Sequence, residues 1–143
     1  MALMKRGKYE YGETREDIAE AIRQYSESNA YVVHHMADCV CGCKGTTFQL
    51  AIDEQEGVAV RRCAACLDEH PIGDSEAYLE EAELGICSCI CGNEVFEIKV
   101  GVSLYAGSDD VRWVYLGCHC TECGLTGVFG DWKCEYTDYG GFL

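Results

Sequence analysis

The sequence predicts an α+β protein: two tandem β-hairpin modules, each tied by four cysteines, with an N-terminal helix and a short acidic linking helix. Three observations predict it. Twelve cysteines fall mostly in tight clusters, the densest in "ADCVCGCKGTTFQL" from Ala37 to Leu50. Each cluster leads into alternating apolar residues that end at a further cysteine pair. The whole order occurs twice, as duplication of one small module would give. A length of 143 residues suits one compact domain or two small ones. The reading divides the chain into an N-terminal helix with a lead-in strand (1–36), a first module (37–72), the linking helix (73–86) and a second module with a C-terminal strand (87–143).

The clearest helix is "TREDIAEAIRQYSES", Thr14 to Ser28. Thr14 can cap it, Asp17 complements the positive first turn, and Ile18, Ile22 and Tyr25 share one face for packing on a hairpin. "AYVVHHM" then reads as a strand entering the first cluster. In the first module "CVCGCKGTTFQLAI" and "GVAVRRCAACLDEH" flank the turn "EQEG". Phe48, Leu50 and Ile52 alternate with polar neighbours, as a half-buried strand requires.

"HPIGDSEAYLEEAELG" reads as a helix starting near Asp74 or Ser75 and stopping near Gly85, with Tyr78, Leu79 and Ala82 inward. Glu76, Glu80, Glu81 and Glu83 repel one another at helical spacing, at about 0.2–0.5 kcal/mol per pair. The second module repeats the first: "CSCICGNEVFEIKV", the turn "AGSDD", then "VRWVYLGCHCTECGL". Phe96, Ile98, Val100 and Val102 alternate in its first strand. The final strand places Val128, Trp132, Cys134 and Tyr136 on one side, which makes Cys134 a small buried hydrophobe.

Over Ala37 to Asp131 this arrangement resembles the zinc-ribbon (zinc β-ribbon) superfamily, at superfamily level only. There, two cysteine knuckles from opposite ends of a ribbon close one tetrahedral Zn²⁺ site. "CTECG" at Cys120 to Gly124 matches the usual Cys-x-x-Cys-Gly knuckle, whereas "CAAC" at Cys63 to Cys66 lacks the glycine. The leading knuckles are Cys-x-Cys. The resemblance implies two structural Zn²⁺ ions. Ligand chemistry points the same way: four thiolates at about 2.3 Å close a zinc site, and small modules need such a staple.

A glycine directly after the second ligand lets the backbone turn its N–H groups toward sulfur. On that criterion the sites are Cys39, Cys41, Cys63 and Cys66, and Cys89, Cys91, Cys120 and Cys123. Aligning the modules on Phe48 and Phe96 instead equates Cys41 with Cys89 and Cys43 with Cys91, so Cys41/Cys43 stands as the alternative first pair. Under the first choice Cys43, Cys87, Cys118 and Cys134 remain over. His119, between Cys118 and Cys120, is the one histidine placed to replace a ligand. His34 and His35 point to opposite sides of a strand, and His70 has no readable nucleophile near it.

The formal net charge is −14. From Asp38 onward six Lys/Arg stand against nineteen Asp/Glu, and none of the cations lies between Arg62 and Lys99. Such a surface repels phosphate backbones and anionic membranes. "MALMKRGKYEYGE" lacks the apolar core of a signal peptide, no run is long enough to span a membrane, and reduced thiols suit the cytoplasm. The sequence-based expectation is therefore a non-catalytic cytoplasmic zinc protein that binds a basic partner protein, as an adaptor or as an inhibitor of the immunity-protein or antitoxin kind. Thiol redox chemistry or redox sensing is the alternative, and a nucleic-acid or transcription-associated ribbon the third reading.

Overall fold

The computed structural model describes residues 3–143. Its dominant feature overturns the predicted α+β class of two ribbon modules with two helices. Ten strands form one antiparallel sheet, and the only α-helix of more than two turns among the described residues is α1, Asp17–Ser28. The strands are β1 (Met4–Arg6), β2 (Tyr9–Tyr11), β3 (His35–Asp38), β4 (Phe48–Asp53), β5 (Val58–Cys63), β6 (Glu69–Pro71), β7 (Gly85–Ile86), β8 (Phe96–Leu104), β9 (Val111–Cys120) and β10 (Leu125–Tyr136). Their order is β1-β2-β10-β9-β8-β4-β5-β6, with β3 beside β8 and β7 beside β4. A short helix α2, Tyr139–Phe142, ends the chain.

The hairpins β4–β5 and β8–β9 are the two cysteine-flanked ribbons, and they join edge to edge through one antiparallel pair, Phe48 with Phe96. These two phenylalanines hold matching positions after their cysteine clusters, so their pairing sets a local two-fold relation between the ribbons. Both are fully buried. The first ribbon then folds back over the second: Ile52 approaches Gly130, Gly57 packs on Trp132, and the Asp131 N–H donates to Glu54 Oε2 at 3.3 Å. Between them lies a core of Phe48, Leu50, Phe96, Ile98, Val100 and Leu116 with their neighbours.

The second ribbon buries apolar residues on both faces. Val114, Leu116, Cys118 and Cys120 of β9 enter the main core, while Tyr115 packs with Ile18 and Ile22 of α1 on the opposite face. Full burial of each isoleucine contributes about 1.5–3 kcal/mol. The helix approaches so closely because β8 and β9 present Gly101 and Gly117 beneath it. Tyr115 fixes the exit of the helix: its hydroxyl donates to the Tyr31 carbonyl at 2.6 Å and accepts from Asn29 Nδ2 at 3.2 Å.

Three local expectations change. Thr14 does not cap α1; the buried Asp17 carboxylate instead accepts the N–H groups of Glu13 and Thr14. The linking α-helix is replaced by a 3-10 turn, Ser75–Glu81, with Tyr78 exposed, and the chain then runs extended into β7. Repelling glutamates disfavour an α-helix here, and Asp53 ties down the extended form by accepting the Glu83 N–H at 2.8 Å. In β10 a bulge between Val128 and Gly130 moves Val128 to the helix side, away from Trp132 and Cys134. No helix among the described residues is long and apolar enough to cross a membrane.

The helix seat gives a direct test. A methyl group at Gly117 would meet Ile18 and lie 2.8 Å from Ile22 Cδ1. Gly117→Ala is expected to lower unfolding free energy by about 1–3 kcal/mol in a denaturant titration. An unchanged midpoint would mean that α1 is not seated on β9 as described.

Candidate metal centres

Each candidate centre forms where a ribbon's ladder runs out. In the first, the ladder closes at Phe48–Cys63; the preceding loop supplies Cys41 and Cys43, and the turn after β5 supplies Cys66. In the second, the ladder closes at Phe96–Cys120, with Cys89 and Cys91 before it and Cys123 after. Within each quartet all sulfurs lie within 4.8 Å of one another. Cys41–Cys66 and Cys89–Cys123 are 3.5 Å apart, and Cys43–Cys63 and Cys91–Cys120 are 3.6 Å apart. All twelve cysteines are unbridged. A tetrahedral ion bound at about 2.3 Å needs sulfur separations near ~3.8 Å, so both quartets fit a metal ion.

The same backbone turns build both centres. The Cys41 N–H donates to the Gly45 carbonyl and the Lys44 N–H to Cys41, as Cys89 does to Asn93 and Gly92 to Cys89, all at 2.8 Å. After the second pair, the Leu67 N–H returns to Cys63 at 2.9 Å and that of Gly124 to Cys120 at 3.1 Å. Lys44, Gly92, Leu67 and Gly124 all take positive φ, between 68° and 94°. For Lys44 and Leu67 that conformation costs on the order of 1–2 kcal/mol each, strain that a bound ion would offset.

These turns aim N–H groups at sulfur. The Cys66 N–H, with that of Ala65, draws the Cys63 thiol down to about 6. Burial works to raise Cys120, but the Cys123 N–H, the Asn93 amide and the Glu122 N–H outweigh it and bring that thiol to about 6 as well. One sulfur in each quartet is thus prepared as thiolate, the form that binds metal.

The structure does not bring Cys39 into the first quartet; Cys43 takes that place. Cys39 continues the β3–β8 ladder, its N–H donating to the Ile98 carbonyl at 2.9 Å, which turns its side chain into the core. The glycine criterion misleads because the left-handed position after the second ligand is filled by Lys44, whereas Gly42 lies between the two ligands. Alignment on Phe48 and Phe96 carried the usable signal. Cys41, Cys63, Cys66, Cys89, Cys91, Cys120 and Cys123 all lie in the quartets.

The remaining thiols are held neutral. Burial pushes Cys39 and Cys87 up to about 11 and raises Cys118 and Cys134 well above the usual thiol range. His119 turns away from the sulfurs, with Nε2 at 3.1 Å from the Gly12 carbonyl and Nδ1 at 3.0 Å from Glu97. His34 Nδ1 accepts the Leu104 N–H, His35 stacks on Tyr139, and His70 is exposed on β6. None of the four histidines joins a quartet.

The centres differ in protection. Cys43 and Cys66 of the first are both exposed, whereas in the second only Cys91 is. Asn93 Nδ2 donates to Cys120 Sγ at 3.3 Å and is itself held by Val95 and Thr121. The matching residue in the first centre is Gly45, which packs against Cys63 without a side-chain donor. The chain matches no family model, no curated protein and no solved structure.

Two tests follow from this geometry. Cys43→Ser should remove one of two bound ions per chain, while Cys39→Ser should leave both; the reverse result in elemental analysis would restore the other register. In a chelator titration the first centre should release its ion first, and Asn93→Ala should speed release from the second by about 10-fold or more. Equal release from both native centres would contradict the assigned difference in protection.

Proposed function

We propose that this chain is a non-catalytic zinc protein in which two Zn²⁺ ions hold the ends of its ribbons. The observation that carries this reading is the donor set: two quartets of four cysteines each, with no histidine or carboxylate in either. Zinc is the d¹⁰ ion whose chemistry suits a tetrahedral thiolate cage without imposing redox steps. A closed quartet leaves no position for substrate, so both ions serve the fold. When bound they neutralise part of the thiolate charge, and this chain's own N–H groups and the Asn93 amide orient the sulfurs.

The rest of the proposal concerns a partner. Each Zn(Cys)₄ centre adds a formal −2 to a chain already at −14. Carboxylates dominate from Asp68 to Glu83, where no Lys or Arg relieves them. Electrostatic complementarity with a basic protein supports an adaptor or an inhibitor of the immunity-protein kind, acting in the cytoplasm, where thiols stay reduced.

Elemental analysis of protein purified without added zinc tests the metal reading. It should find two zinc ions per chain, and stripping them should unfold the ribbon ends, since each structural zinc contributes on the order of 10 kcal/mol. A metal-free protein with unchanged circular dichroism and melting temperature would remove the proposal.

A further inference from the structure

We infer that the outer face of the first ribbon is a docking groove for a segment of a partner protein that carries Lys or Arg beside apolar side chains. This rests on the acidic, partner-binding reading above and gives it a location.

The groove follows from strand register. Ala51 pairs with Ile86 on one side and with Val60 on the other, and Val60 pairs with Pro71. Directly paired residues point to the same side of a sheet, so these four form one apolar row across β7, β4, β5 and β6. Their face is turned away from the core, which takes Leu50, Ala59 and Cys63. Leu79 and Leu84 of the linking segment wall this row into a groove of about 440 Å³. Apolar area stays in water there: Ile86 is 58% exposed and Leu84 41%.

The two-fold relation of the ribbons shows what such a face accommodates. Phe48 corresponds to Phe96 and Cys63 to Cys120, so the Ala51–Val60 pair corresponds to Lys99–Gly117. In the second ribbon Gly117 of that pair is covered by the Ile18 and Ile22 side chains of α1, and Lys99 is held by Asp38. Among the described residues no α-helix covers the equivalent pair in the first ribbon; only the linker with its 3-10 segment flanks it, with Leu79 on the lining.

Charge selects the occupant. Glu69 lines the groove, and Glu80, Glu81 and Glu83 stand exposed along the linker that walls it. None of these four pairs with a Lys or Arg among the described residues. Arg62 is the one cation on the lining. Apolar anchors flanked by basic side chains would bury the row and meet the unpaired carboxylates at its edge.

The test uses random dodecapeptides displayed on phage and selected against the zinc-loaded full chain. Enriched peptides should combine apolar residues with an excess of Lys and Arg. Bound to the purified protein, they should weaken by about 10-fold on Ile86→Asn or Leu84→Asn and on Glu80→Lys with Glu83→Lys. Ile90→Asn, equally exposed but outside the groove, should leave affinity unchanged; melting temperatures check that every variant folds. Basic apolar peptides that ignore Ile86→Asn and Leu84→Asn would overturn the groove and leave the acidic binding reading standing. Enriched peptides without basic character, or no enrichment, would overturn both.

Discussion

Four sulfurs within 4.8 Å of each other are the constraint on which the rest of this structure depends. As thiolates without a cation they would repel, and as four thiols they would have little reason to converge. Yet both ribbons direct N–H groups at this convergence, and the first also holds strained turns at Lys44 and Leu67 for it. A bound tetrahedral ion reconciles these features. Such an ion would join the two strand ends of each ribbon where hydrogen bonding stops, and would keep six-residue strands such as β4 and β5 in register.

That fixed register carries the core. Phe48 and Phe96 lie at the last paired positions before their quartets, and they pair with each other. Each centre therefore sets the strand end that makes the single link between ribbons. A slip of one residue in either would turn Phe48 or Phe96 out of the core and expose the alternating set behind it. The same core holds Cys39, Cys118 and Cys134 buried and Cys87 half-buried as small hydrophobes, their thiols raised by burial. Sulfur thus has two physical roles in the chain, separated by whether backbone N–H groups point at it.

Much of the site was legible in the sequence because it is local. Seven of eight expected ligand positions join the quartets, since cysteine spacing and hairpin alternation place them within a few residues of a turn. Cys43 stands in place of the expected Cys39 because the left-handed position after the second ligand, which favours glycine, is adopted here by Lys44. The fold class was less legible for a different reason. Edge-to-edge joining of the ribbons, and recruitment of Met4–Arg6, Tyr9–Tyr11 and His35–Asp38 into the sheet, depend on contacts between distant segments. Helix α1 was readable from its own periodicity, but its seat on Gly101 and Gly117 was not.

The linking segment shows how charge decided local structure. As an α-helix it would have stacked Glu76 on Glu80 and Glu80 on Glu83, with no cation nearby. A 3-10 turn followed by extended chain replaces that α-helical stacking, and the Asp53 carboxylate, drawn down chiefly by the Glu83 N–H and then by that of Glu56, fastens the extended part to the first hairpin. The outcome leaves Leu84 and Ile86 beside an apolar row that has Glu69 on its lining. For stability alone, neutral or mixed charges would serve this linker better. A like-charged stretch held open over uncovered apolar surface is a cost to the isolated chain that a basic partner would relieve.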